Sequence, residues 1–509
     1  MADSAANQSV SKCKRMKLSP DKDTAVGSID RISNLPDSLL CHILCFLPTN
    51  EAIVTGILSS RWKPLWTLVP KIDLHDTSIR GHSVSPLRIL YSVLAQHTTP
   101  ILSNFTLSWH SPCDSSHFDK WIDTAISRNL QQLDLHIESK QLFELPHAVF
   151  HCKTLVSLEC RSEIELDPPS FQLPSLKIMG LYEICYTSHY SFSSLCSASA
   201  CPSLEDLKVL RDDNYIVTNF KINVPTLKRL HIEVVSCFNE LPDFKLEIYA
   251  PVLEYFHFFG DLRSIIFLAK LANLVEARIN VSADNDWIRV FRLYYGDRVF
   301  KLLKALSNAK FLSIFPGDKE CIGFGSIYPS MFQNLVRLNF KVTRTNWHVL
   351  QSLLVVAPNL EVLVIDKDYY YKNQLCWMEP PDGPGCLSSH LTTFNFNGFE
   401  ELEHEVEFIK YILMEARVLN RVTIKVSDLH SKESDLKKLS IFPRQSSTCL
   451  LTVELGIIEG GVQNTGRGRF DGQHHSLLRK GLQIIEQNVL SPISSSSTFL
   501  YLLCAPTIS

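Results

Sequence analysis

From residue 130 onward, apolar residues recur in one spacing, Leu-x-x-Leu-x-Leu. The units open at Leu130, Leu155, Leu176, Leu204, Leu227, Leu253, Leu274, Ala309, Leu335, Leu360, Leu391 and Leu419, and Met, Val, Ile, Phe or Ala replaces some of the leucines. Most steps between opening positions are 21 to 31 residues, with a longer one from Leu274 to Ala309. The second and third apolar positions are two residues apart, so a strand puts both on one face. The first lies where the chain turns into that strand. Proline stands two residues before the opening leucine at 174, 202, 225, 251 and 358. A strand entry suits it, because the missing N–H does no harm there. A unit with one apolar face cannot bury it alone, and a fixed period means that stacked units share a continuous core. The expected class is α/β, as a curved parallel sheet with helices or irregular segments behind it. The competing reading, an ordinary domain of alternating strands and helices, does not explain a dozen units at near-constant spacing.

The flanks change period. Between Asp30 and Leu74, Leu39, Leu40, Ile43, Leu44 and Leu47 recur at helical spacing. Pro36 can open that helix and Pro48 end it. Thr49 is a candidate N-cap for a second helix, with Glu51 in its first turn and Ile53, Val54, Ile57 and Leu58 as apolar positions. A third short helix would carry Arg61, Trp62, Leu65 and Trp66. A unit of roughly 40 residues buries too little surface to stand alone without a staple. It therefore packs on the rest of the chain or offers an apolar face to a partner, and spacing alone leaves both open. Near the other end, Pro380, Pro381, Gly383, Pro384 and Gly385 form a turn-rich loop. A helix over 400–416 follows, with Leu402, Val406, Ile409, Leu413 and Ala416 on one face. A strand over 419–426 comes next, then a lysine-rich helical stretch with Leu436, Leu439 and Ile441.

Composition narrows the classes. The 509 residues are 45% hydrophobic and 20% charged, with a net charge of −3 and a pI near 6.7. That is a globular chain without the basic surplus of a general nucleic-acid binder. No run of about 18 apolar residues predicts a membrane span, and no apolar leader predicts secretion. The 15 cysteines are scattered without any C-x-x-C pair, Cys41 and Cys45 being four apart. They read as reduced core residues rather than zinc ligands or disulfides. No cofactor is expected. Lys12, Lys14, Arg15 and Lys17 form a basic cluster that fits a nuclear import signal or a solvated charge run. The expected location is the nucleus, the cytoplasm or both. There is no G-x-S-x-G or H-E-x-x-H, and Gly461-x4-Gly466 lacks the Lys and Ser/Thr of a phosphate loop. The chain is expected to be a binder, not an enzyme.

The segment 30–74 resembles the plant F-box in Asp30-Arg31-Ile32, Asn34-Leu35-Pro36-Asp37, Ile43-Leu44, Phe46-Leu47-Pro48, Leu58-Ser59-Ser60-Arg61-Trp62 and Leu65-Trp66. It departs at Val54-Thr55-Gly56, where a basic residue is usual and glycine is not. Gly56 inside a helix would cost about 1 kcal/mol relative to alanine. The periodic region resembles a leucine-rich-repeat solenoid with divergent units. Trp377, Glu379-Pro380-Pro381, Pro384, Cys386-Leu387, Leu391, Phe399, Tyr411-Ile412-Leu413 and Leu419 resemble the FBD module. The implied organisation is a disordered tail over 1–28, an F-box over 29–75, a solenoid over 100–375, an FBD cap over 377–453 and a poorly ordered tail over 455–509.

The resemblance implies a three-helix module that docks a Skp-type adaptor and, through it, a cullin scaffold. The matching positions are Leu35, Pro36, Leu39, Leu40, Ile43, Leu44, Leu47, Pro48, Leu58, Arg61, Trp62 and Trp66. It implies a substrate receptor of a ubiquitin ligase, with an unknown target protein on the concave face of the repeats. The alternative is a repeat scaffold that docks no ligase. Candidate target contacts are His136, Glu138, Arg211, Asp212, Glu233, His257 and Lys341.

Overall fold

The computed structural model describes residues 32 and 34–455, apart from 80–84, 167–169, 187, 213–218, 236–244, 261–263, 282–297, 316–331, 344–345, 368–376, 381–382 and 427–438. The basic cluster at 12–17 and the segment 456–509 lie outside the described residues. All twelve periodic units fall on strands of one parallel sheet, which has 15 strands among the described residues. The second apolar position of each unit stands in register with the next. Leu133, Leu158, Met179, Leu207, Leu230, Phe256, Ala277, Leu312, Leu338, Leu363, Phe394 and Val422 form one continuous row. These side chains are buried.

Three strands extend the sheet beyond those units: Lys71–His75 and Asn104–Trp109 before the first, and Leu450–Leu455 after the last. The first two repeat the same spacing, as Val69-x-x-Ile72-x-Leu74 and Leu102-x-x-Phe105-x-Leu107. The sheet thus begins inside the segment that resembles an F-box.

The prolines play a different part from the one expected. Leu176, Leu204, Leu227, Leu253 and Leu360 each donate their N–H to the carbonyl three residues earlier, from Leu173, Cys201, Val224, Ala250 and Ala357. Each proline is therefore the second residue of a four-residue turn, where its fixed φ is already correct. It sits ahead of the strand, not at its entry. Just past the turn, two successive N–H groups converge on one carbonyl of the preceding unit. Lys177 and Ile178 do so on Val156, and Glu205 and Asp206 on Lys177. Leucine and turn together set the step from one unit to the next.

Behind the sheet lie helices, among them Pro86–Gln96, Ser115–Ile126 and Trp347–Val355, and two further three-stranded parallel sheets. One of these comprises Asn219–Asn223, Lys245–Tyr249 and Ser264–Phe267. Aromatic contacts join the layers, as between Phe256 and Phe267 (5.2 Å, edge to face), and hold the back layer together, as between Phe118 and Phe143 (5.4 Å). One hydrophobic cluster runs from Leu40 to Val453. The described cysteines are free thiols, and burial pushes Cys201 and Cys386 up to about 12, which keeps them unreactive.

At the far end the helix Glu403–Glu415 turns Phe408 and Ile412 inward beside Ile409, Leu413 and Ala416, while Leu402 and Val406 are half-buried. The inward face is wider than the predicted stripe. Trp377 packs on Phe408 at 4.6 Å and on Trp347 at 6.0 Å. Leu439 is buried and Ile441 exposed, while Leu436 lies outside the described residues. Glu405 is fully buried. Its carboxylate lies 2.6 Å from Lys367 Nζ and accepts N–H bonds from Glu400 (3.0 Å) and Leu402 (3.2 Å). Burial pushes the Glu405 carboxyl up, and Lys367 and the two N–H groups pull it back. Lys367 ends the strand Val362–Lys367, so this pair ties the last module to the repeat before it.

Two stability predictions follow from these contacts. Lys367→Met leaves a buried carboxylate without its cation and should cost about 3–5 kcal/mol. Adding Glu405→Leu should restore most of that in a urea titration; an additive double variant would refute the pairing. Gly260 ends its strand at φ +130, and a Cβ there would lie 2.1 Å from the Val234 carbonyl oxygen. Gly260→Ala should therefore lower stability by at least about 1–3 kcal/mol, read as the same urea midpoint.

Candidate functional site

The N-terminal module begins with the helix Asp37–Leu44, with Pro36 at its N-cap. Positions i and i+4 share a helix face, and two such pairs divide this one. Leu40 and Leu44 point inward and are fully buried, whereas Leu39 and Ile43 are exposed. The second helix, Thr49–Val54, continues as a 3-10 turn over Thr55–Ile57. Thr49 does not cap it. Its hydroxyl oxygen accepts the Asp73 N–H at 2.8 Å, fastening the module to the first strand of the sheet. The expected third helix is a single 3-10 turn, Leu65–Leu68. Gly56 lies in the 3-10 turn against Lys63, and a Cβ there would meet it at 3.4 Å, ordinary contact. The cost expected for glycine inside a helix does not carry over directly to this turn.

The twelve sequence-derived positions separate into three groups. Leu40, Leu44, Trp62 and Trp66 are core, the two tryptophans about 4% exposed. They hold the module together and offer nothing to a partner. Leu35, Leu47 and Pro48 are half-buried. Pro36, Leu39, Ile43, Leu58 and Arg61 are exposed. Arg61 is engaged within the module: its guanidinium donates to Asp37 Oδ1 (2.6 and 2.8 Å) and to the Leu35 carbonyl (2.5 Å), closing the chain entry onto the third turn. Ile32, Phe46 and Ile57 add to the exposed apolar group, with Phe46 76% exposed. The sequence signal for Phe46 was its position three residues after Ile43, on the same side of the helix end. For Ile57 it was adjacency to Leu58.

The second candidate surface is the open face of the sheet. His136, Glu233, His257 and Lys341 lie there, on positions that alternate with the buried row. Glu138 follows the third strand of the sheet, Gln132–Ile137, and is exposed. Arg211 is elsewhere. It stands in register with buried Val234, and its guanidinium stacks on Phe220 of the second layer at 4.4 Å. At the end of its strand it follows the inward alternation rather than the outward one. The Asp212 side chain lies outside the described residues.

At the centre of the face His231 and His257 pack with ring centroids 4.1 Å apart and Nδ1 atoms 3.2 Å apart. His231 Nε2 bonds Glu233 Oε1 at 2.6 Å, which holds the Glu233 carboxyl below the usual range against the opposing effect of burial. Burial, reinforced by the neighbouring His231 and Arg278, pushes His257 down to about 4, with Glu233 and Glu276 opposing.

This architecture, a small apolar module grafted onto a parallel repeat solenoid with an aromatic-cored end module, defines a leucine-rich-repeat F-box protein. Residues 32–73 match the F-box domain, 118–266 the LRR repeats of the FBD-associated F-box protein At5g56370, and 379–424 the FBD. The chain is 32% identical to the F-box/FBD/LRR-repeat protein At2g04230 of Arabidopsis thaliana, over 84% of this chain and 97% of that one. It is 30% identical to the FBD-associated F-box protein At3g52670 (84% and 97%) and 33% identical to the F-box/FBD/LRR-repeat protein At4g00160 (80% and 89%), both from the same plant. The chain belongs to the F-box/FBD/LRR-repeat family.

The histidine pair gives a pH prediction. The folded state keeps His257 uncharged down to about pH 4, whereas in the unfolded chain it takes up its proton near the ordinary value of 6.5. Its contribution to stability is therefore present above pH 6.5 and is lost as pH falls toward 4. His257→Gln should flatten the drop in melting temperature between pH 7 and pH 5; an unchanged drop would assign it to other groups.

Proposed function

We propose that the chain is the substrate-recognition subunit of an SCF-type (Skp-cullin-F-box) ubiquitin ligase. The observation that carries this is the exposed apolar group Leu39, Ile43, Phe46, Ile57 and Leu58, on a module whose core is already filled by Leu40, Leu44, Trp62 and Trp66. Large exposed apolar side chains gathered on one small module mark an interaction surface. A Skp-type adaptor is the partner that the F-box class supplies, with a cullin scaffold behind it. The open sheet face, which carries charged–aromatic pairs such as Arg161 on Tyr182 and Lys341 on Phe315, takes the target protein. Ubiquitin chemistry resides on other subunits, and this chain acts as a non-catalytic receptor in the nucleus, the cytoplasm or both.

One observation favours the alternative of a plain scaffold: the N-terminal helices share the solenoid's core and are fastened to its first strand. Binding of the full chain to a Skp-type adaptor separates the two. Ile43→Asp and Phe46→Ala should each weaken the adaptor complex at least about tenfold, or about 1.4 kcal/mol, with melting temperature unchanged. Trp62→Ala should instead lower the melting temperature. A wild-type chain that fails to bind an adaptor which other F-box proteins bind would leave the scaffold reading.

A further inference from the structure

Near the start of the sheet, three side chains from adjoining segments converge. Ser108 stands opposite His136 and Trp109 opposite Ile137. Just beyond, the Glu138 N–H donates to the Trp109 carbonyl at 2.9 Å, so His110 and Glu138 leave the sheet side by side. His110 Nδ1 lies 3.0 Å from Oδ1 of Asp76, whose side chain is completely buried in the turn after the first strand. An imidazole that donates Nδ1–H to a buried carboxylate presents the lone pair of Nε2, the orientation seen in carboxylate–histidine–metal arrangements. That Nε2 lies 3.5 Å from Glu138 Oε2, and Glu138 Oε1 lies 3.4 Å from His136 Nε2.

These separations are longer than an ordinary N–H···O bond of about 2.7–3.2 Å. Each is close to the edge, about 3.3–3.6 Å, of a tetrahedron of ligands held about 2.0–2.2 Å from a zinc ion, and they engage the two different oxygens of Glu138, so one of them becomes such an edge when the carboxylate binds through a single oxygen. The candidate ligand atoms of all three residues lie within 4.8 Å of one another. The two imidazole rings are nearly perpendicular (76°), with their centroids 5.4 Å apart. Glu138 is about half exposed and leaves the group open to solvent.

We propose that His110, His136 and Glu138 form a binding site for a divalent metal ion of the zinc type, with Asp76 orienting His110 and one coordination position open. Two imidazoles and one carboxylate are the donor set of open zinc sites, where the fourth position takes water or a group from a second molecule. The metal would pin together the ends of the second and third strands. Its open position would lie on the proposed target-binding face, which makes a carboxylate, imidazole or thiolate of a bound protein a fourth ligand.

The test uses the full chain, reduced and stripped with chelator, titrated with Zn²⁺ alone by calorimetry. Other histidines and cysteines can also take zinc, so the readout is the difference between proteins. His136→Ala and Glu138→Gln should each remove one equivalent that the wild type binds. Cobalt substitution should give visible bands of a tetrahedral nitrogen–oxygen set without thiolate charge transfer, and both variants should lose them. Asp76→Asn should keep the stoichiometry and weaken Kd about 10–100-fold. Equal zinc equivalents in the wild type and both variants would overturn the proposal. Should His136→Ala lower the melting temperature, the solvent-exposed Glu138→Gln comparison decides alone.

Discussion

Everything in this molecule depends on one row of side chains staying in register. From Ile72 through Leu133, Phe256 and Leu363 to Leu451, each strand sets one apolar residue against the same position of the next. A one-residue slip in any strand would turn its whole apolar set outward. The turns guard against this. Eight of the twelve opening residues close a turn onto the carbonyl three residues back, and in every unit the next two N–H groups take a single carbonyl of the previous unit. Local geometry therefore fixes the register before the distant packing has to.

The same logic extends to both ends. The N-terminal helices fill one side with Leu40, Leu44, Trp62 and Trp66 and attach to the sheet through Thr49 and Asp73. The C-terminal module adds three parallel strands and is joined to the repeat before it by the buried Lys367–Glu405 pair and the edge-to-face cluster of Trp347, Trp377 and Phe408. Neither end is a separate bead. Three sequence signatures thus describe a body with one hydrophobic core.

The repeats were legible because their signal is redundant: a strand of period two, written a dozen times, survives the loss of individual leucines. The strands at Lys71–His75 and Asn104–Trp109 carried the same spacing, but they precede the first unit with three leucines, and one lies inside a segment read as helical. The proline positions were visible while their role was not, because only hydrogen-bond geometry separates a turn's second residue from a strand's entry. On the N-terminal module, helical spacing identified the apolar residues but not their direction. Leu39 and Leu40 are adjacent in sequence and differ only in which way the helix faces the sheet. Trp62 and Trp66 read equally well as anchors for a partner or as core, and a sequence with a single short 3-10 turn in place of a third helix has no period to decide between them. Arg211 was misplaced for a related reason, since alternation at a strand's last residues depends on where the strand ends.

The strand Lys71–His75 belongs to two units at once: its first three residues lie within the F-box match, and it pairs with Asn104–Trp109, the next strand of the sheet. A cut after it would strip the partner from Asn104–Trp109 and leave a bare row of backbone donors and acceptors. A cut before it would remove the group that holds Thr49. Recombination that exchanges one such N-terminal module for another therefore has no clean seam in this chain. A viable exchange must carry the shared strand, and with it a side chain at position 72 that fits Phe105, so these two parts of the molecule are bound to change together.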